Sequence, residues 1–199
     1  MSGRLLCVSL VMCILPTVSL QAVEDHDSLQ HQSHSHGHQH DHADEAITDA
    51  HVHGEVTLQF AQQGEQLAME LTSPAMNLVG FEHRARTPEQ IKRVEAAEAT
   101  LRQVVDWLTL EGGECRITHV SSDLSGVLPA ESGADEHGHA DIDLDAQFTC
   151  TQPGKLRGLQ VTLFQDFPAV ENIKVQWVSE TGAGERVLSR NQSSLTFDR

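Results

Sequence analysis

Between Asp141 and Cys150 the chain alternates without a break. Ile142, Leu144, Ala146, Phe148 and Cys150 fall on one parity, and Asp141, Asp143, Asp145, Gln147 and Thr149 on the other. Period two marks a strand with one face in a core and the other in water. Such a strand needs a sheet partner and an apolar layer over its buried face. The same pattern occurs earlier. Val52, Val56, Leu58 and Phe60 oppose His51, His53, Glu55, Thr57 and Gln59. Leu67, Met69 and Leu71 alternate again after the turn residues Gln62-Gln63-Gly64-Glu65, so the two segments are expected to form a hairpin. On a strand, residues i and i+2 share a face, which projects His51 and His53 together.

One helix is expected. Thr87-Pro88-Glu89-Gln90 offers an N-cap, a proline at the first helical position and a capping-box glutamine. Ile91, Val94, Leu101, Val105 and Leu108 then recur at helical spacing, with Glu98 as a charged exception. This predicts a long amphipathic helix to about Leu110, stopped by Gly112-Gly113. Residues 73–81 (SPAMNLVGF) read as an irregular, packed connection that delivers Glu82-His83 to a fixed place. Cys115 to Ser121 reads as a short strand, with His119 on the parity of Cys115 and Ile117. Further strands are expected at Leu159–Phe164, Ile173–Ser179, Arg186–Leu188 and Leu195–Phe197, with Gly182-Ala183-Gly184 as a hairpin turn. The fold class is α+β: an antiparallel sheet packed by one long amphipathic helix.

Residues 1–22 have the form of a secretory signal. Arg4 supplies the positive end, LLCVSLVMCIL (Leu5 to Leu15) the apolar run, Pro16 the break and Ala22 the small residue before cleavage. The run is too short to span a bilayer, so no membrane insertion is expected after cleavage. Cys7 and Cys13 leave with the signal. Cys115 and Cys150 remain, a pair suited to one disulfide in an oxidising compartment. Residues 23–50 are polar and histidine-rich. Within them His26, His31, His34, His36, His38, His40 and His42 place seven histidines in 17 residues. The apolar content is too low for a core, which predicts a disordered metal-binding arm. Residues 51–199 are then one α+β metal-binding domain.

Charge excludes several function classes. Without Arg4, 12 Lys and Arg stand against 29 Asp and Glu, a formal charge of −17. Nucleic acids and anionic membranes need basic patches, so neither is an expected partner. The chain has no Tyr and is 4% aromatic, which leaves little for base or sugar stacking. There is no HExxH, GxSxG, P-loop or GxGxxG. Cations are the favoured ligand. Zinc takes imidazole nitrogen and carboxylate oxygen with little geometric preference. The domain offers His51, His53, Glu82, His83, His119, His137, His139, Asp141 and Asp143. His137 and His139 extend the acid face of the Asp141 strand. Imidazole also suits Ni2+, Cu2+ and Co2+. A free imidazole titrates near about 6.5, so capture by histidines is expected to weaken below about pH 6. An isolated His-x-His is more often a polar strand face, and the acid row a solvated one; the adjacent histidine tract tips the balance toward metal.

The run HVHGEVTLQFAQQGEQLAMELTSPAMNLVGFEH, the following Thr87-Pro88, the later Leu163-Phe164-Gln165-Asp166-Phe167-Pro168 and Ile173-Lys174-Val175-Gln176, the histidine-rich leader and the two mature cysteines together resemble the ZrgA-like, zinc-regulated periplasmic proteins of Gram-negative bacteria. The resemblance covers most of residues 50–199. It implies a periplasmic zinc-binding protein, made when zinc is scarce, that helps supply a zinc ABC importer through the importer's solute-binding protein. It carries a metal-ligand role over to His51, His53, His83, His137 and His139. Captured zinc would be buffered and then transferred, with no enzymatic step. The alternatives are a metal-dependent hydrolase with Glu82 as base, an interaction module in which the arm alone binds metal, and the importer's primary binding subunit, for which the chain is short.

Overall fold

A computed structural model describes residues 52–129 and 140–197. The elements run β1 (Glu55–Gln63), β2 (Gln66–Pro74), α1 (Ala75–Val79), α2 (Pro88–Arg102), α3 (Val104–Trp107), β3 (Leu108–Glu111), β4 (Cys115–Asp123), β5 (Asp141–Cys150), β6 (Gly158–Val161), β7 (Asn172–Ser179), β8 (Gly182–Ser189) and β9 (Ser194–Thr196). Six strands form the main sheet in the order β4-β5-β2-β1-β7-β8, and β3-β6-β9 form a smaller one. The expected signal, the arm, His51, His137 and His139 lie outside the described residues.

The alternating segments are strands, as their periodicity demands. β1 and β2 form the expected hairpin, with Gln63 opposite Gln66 across Gly64-Glu65. Gly64 has φ +55°, which a two-residue hairpin turn needs at its first position. β5 buries Ile142, Leu144, Ala146, Phe148 and Cys150 and turns its acids outward. These side chains join Val56, Leu58, Leu71, Ile173 and Val175 in one core. Each fully buried aliphatic side chain of this kind contributes roughly 1.5–3 kcal/mol. Cys115 and Cys150 are disulfide-bonded at paired positions of β4 and β5.

The sheet is mixed rather than wholly antiparallel, because β1 and β7 run parallel. They are distant in sequence, so no tight turn dictates their sense, whereas hairpin neighbours must oppose. β1 itself starts at Glu55. Val52 is exposed and His53 sits in a turn, so strand periodicity does not govern His53.

The helix is shorter than expected. α2 begins as predicted: Thr87 Oγ1 accepts from the Gln90 N–H, and Gln90 Oε1 accepts from the Thr87 N–H, both at 3.2 Å. It ends at Arg102. The indole N–H of buried Trp107 donates to the Leu101 carbonyl at 3.0 Å, taking a group that a longer helix would pair internally. The chain turns through α3 into β3, and Val105 is left exposed instead of lying on an apolar stripe. Val94, Ala97 and Leu101 make the buried contact of α2. Replacing Thr87 with alanine should cost about 1 kcal/mol. In a domain of this size that lowers the melting midpoint by about 2–4 °C, read by circular dichroism.

Two smaller expectations also change. Gly182-Ala183-Gly184 opens β8, and the turn is one step earlier, at Glu180-Thr181. Gly184 is needed for close approach, since a Cβ there would stand 2.3 Å from the facing Trp177 ring. The Leu159–Phe164 segment is a strand only to Val161 and then turns through a short 3-10 helix, Leu163–Gln165.

Candidate metal centre

The stretch after β2 is a short helix rather than an irregular connection, and it organises one end of the sheet. α1 starts directly after Pro74 and ends at Gly80, which adopts the left-handed conformation (φ 84°). That residue type caps a helix without steric cost. Phe81 then buries its ring, leaving Glu82 and His83 at the surface of the turn. Arg84 Nη1 donates to the Ser125 and Leu128 carbonyls at 2.8 and 3.1 Å. The Ala85 N–H donates to the Val127 carbonyl at 2.8 Å. Residues 80–85 are thus held between α1 and the 124–128 turn.

Asn77 of α1 fixes the other side of the centre. Its Oδ1 accepts from the Gly54 N–H at 2.7 Å, and its Nδ2 donates to the Glu55 carbonyl at 2.8 Å. The Gly54 carbonyl in turn accepts from the N–H groups of Glu171 and Asn172. Gly54 has φ +86°, a value that glycine tolerates readily. The turn so clamped carries His53.

The two sides meet. His53 Nε2 lies 2.8 Å from Glu82 Oε1, with the His53 side chain 55% exposed and that of Glu82 13% exposed. An ionised carboxylate only accepts, so Nε2 donates in this contact, and an ion taken up between the two atoms would displace that proton. Two ligands of one tetrahedral zinc stand roughly 3.3 Å apart at Zn–N and Zn–O lengths of about 2.1 Å. A small separation of the pair would therefore admit an ion between them. His83 follows directly in the chain. Its ring stacks on Phe81 at 5.0 Å between centroids, and its Nδ1 donates to the Arg84 carbonyl at 2.8 Å. This leaves Nε2 as its lone-pair nitrogen, the arrangement common in metal-binding histidines.

The other candidates are dispersed. Asp141 begins β5, opposite Pro74, at the same end of the sheet. The adjoining Ala140 carbonyl accepts from the Ala75 N–H at 2.8 Å, so α1 touches this strand as well. Asp143 is two residues on, and its Oδ1 accepts from Thr72 Oγ1 at 2.8 Å. It faces Asp123 across the ladder, whose carboxyl is held below the usual range by the Ser125 backbone N–H and then its hydroxyl. His119 does not share the face of Ile117 as its parity predicts. A bulge between Ile117 and His119 shifts the register, so His119 pairs with Gln147 on the exposed face. Gln147 is four residues from Asp143, about 13 Å along a strand. Among the described residues no three His, Cys, Asp or Glu side chains gather as a preformed metal cluster.

Two contributors escape a reading by residue type. Asn77 is the one polar residue of AMNLV, and a buried amide requires partners; that was its available signal. Glu171 lies against Gly54, where an added Cβ would come within 3.3 Å of its carboxyl carbon. It arrives through the parallel β1–β7 pairing, which leaves no local trace in sequence. No helix among the described residues is long and apolar enough to cross a membrane.

No curated protein matches the chain. A family model described as ZrgA family zinc uptake protein matches residues 50–197, and the chain belongs to that family.

Proposed function

We propose that this protein captures Zn2+ in the periplasm, buffers it, and passes it to the solute-binding protein of a zinc ABC importer. The observation that carries the proposal is the His53–Glu82 contact, a nitrogen and an oxygen donor brought to 2.8 Å by α1 in a member of a zinc uptake family. Both donor types suit zinc. His53 and Glu82 are the first two ligands of the folded site, and His83 with its free Nε2 stands next to them in the chain. Asp141, which begins β5 at this end of the sheet, is a further candidate ligand, and His51, His137 and His139 are proposed as ligands on the family resemblance alone. His119 and Asp143 contribute only weak, separate binding. The histidines of residues 23–50 act as a fast, weak reservoir, while the folded site holds fewer ions more tightly. The role is binding and transfer rather than catalysis.

Calorimetric zinc titration tests this on the mature protein, on a form lacking residues 23–50, and on the shortened form carrying His53→Ala with Glu82→Gln. The shortened form is expected to keep a defined, tight stoichiometry. The double substitution should weaken that binding at least tenfold, about 1.4 kcal/mol or more, with the melting profile retained. If all binding departs with residues 23–50, the folded domain is no metal site and serves to dock a partner. Zinc-dependent turnover of an activated ester would instead favour a hydrolase.

A further inference from the structure

The turn that carries His53 has a second acidic neighbour. A Cβ added at Gly54 would stand 3.3 Å from both Cγ and Cδ of Glu171 and 3.5 Å from its Cβ, so the Glu171 side chain lies along the residue next to His53. The backbones are tied as well, since the Glu171 N–H donates to the Gly54 carbonyl at 2.8 Å.

The loop that delivers Glu171 is itself held in place. Val170 is fully buried, and its N–H donates to the Phe167 carbonyl at 3.0 Å. Arg190 donates from Nη1 to the Phe164 carbonyl at 2.6 Å and from Nη2 to the Pro168 carbonyl at 3.3 Å. β7 then starts at Asn172 and runs beside β1. What is fixed is the Glu171 backbone. Its residue is exposed, and its carboxylate has no hydrogen bond or ion pair among the described residues. Lys174, three residues on, faces Glu55 instead at 3.7 Å.

Reach decides whether this carboxylate can serve His53. Adjacent Cα atoms are about 3.8 Å apart, so the Glu171 carboxyl carbon lies at most about 9 Å from the His53 Cα. With Zn–N and Zn–O lengths of about 2.1 Å, an imidazole holds its ion about 6 Å from its own Cα, and a bound carboxyl carbon lies about 3 Å from the ion. The two spans cover the separation, so rotation of an exposed side chain suffices and the backbone can stay. Charge points the same way. Glu82 and Glu171, both ionised beside a neutral His53, repel one another until a cation arrives, and Zn2+ cancels their two charges.

Resting on the His53–Glu82 reading of the centre, we propose that Glu171 is a further ligand of that zinc, its carboxylate turning over Gly54 to meet the ion. The test is Zn2+ titrated at buffered free concentrations into the disulfide-intact mature chain labelled with 13C at its glutamate carboxyls. Glu82→Gln and Glu171→Gln assign the two signals. Both signals should move saturably with one zinc midpoint. Glu171→Gln should raise the midpoint of the Glu82 signal at least about tenfold, the scale of losing even an outer-sphere partner, and leave the metal-free melting profile in place. A Glu82 signal that moves while Glu171 stays still overturns the inference and leaves the His53–Glu82 centre standing. A Glu171 signal with a midpoint of its own also overturns it, since the two carboxylates then hold different ions. If neither signal moves, the centre itself is wrong and the role of Glu171 falls with it. The unsubstituted chain decides between these outcomes through its own two signals.

Discussion

Replacing Asn77 with alanine is expected to lower the melting midpoint by about 10 °C and to weaken zinc binding by the folded domain in the same step. Asn77 is 3% exposed and uses both ends of its amide. Removing it strands the Gly54 N–H and the Glu55 carbonyl, and takes a third, longer contact from Ser73 Oγ at 3.3 Å. Each buried group left unpaired costs about 1–3 kcal/mol, so the sum is about 3–5 kcal/mol. The zinc effect follows from position: the released turn is the one that holds His53 beside Glu82. Asn77→Asp separates the two halves of the amide. It keeps an acceptor for Gly54 but puts a buried negative oxygen against the Glu55 carbonyl, so it should destabilise at least as much. Thermal unfolding and zinc calorimetry on the form lacking residues 23–50 read both effects. An unchanged midpoint in Asn77→Ala would show that something other than α1 holds the turn.

How much of this was legible follows from how local each cause is. The β1–β2 hairpin and β5 were readable because alternation and a turn glycine act within a few residues. The start of α2 was readable for the same reason, since a capping box is a four-residue device. Its end was not. Val105 and Leu108 continue the helical spacing, and what stops the helix is the Trp107 N–H reaching the Leu101 carbonyl. The face of His119 was misread because a bulge changes parity without changing composition. The glycines of β8 looked like a turn because glycine serves both turns and close packing, and only the facing Trp177 shows which applies. At the candidate centre, residue type pointed to His53 and Glu82. The reason they meet is the five-residue α1 and its buried Asn77, which an apolar stretch between a proline and a glycine does not advertise. Glu171 comes through a parallel pairing between distant segments and had no local signal.

Converting Cys115 and Cys150 to alanine should lower stability by a similar amount and leave zinc binding by the folded protein intact. The disulfide closes a separation of 35 residues, which in the loop-entropy account stabilises by roughly 3–4 kcal/mol. That predicts a fall in melting midpoint of about 6–15 °C. β4 should suffer most. It is an edge strand whose main-sheet neighbour is β5, and its ladder is already interrupted by the bulge. Its amides should lose protection from hydrogen exchange first, while β1, β2 and β7 keep theirs. The zinc expectation rests on distance. Cys150 ends the ten-residue β5 and Asp141 begins it, nine steps apart or about 30 Å at strand rise. A variant that is less stable yet binds zinc normally would distinguish this strap from Asn77, where stability and the histidine turn depend on one side chain. If zinc binding also falls at a temperature where the variant is fully folded, the two ends of β5 are coupled, and the candidate centre extends along the strand toward the bulge at His119.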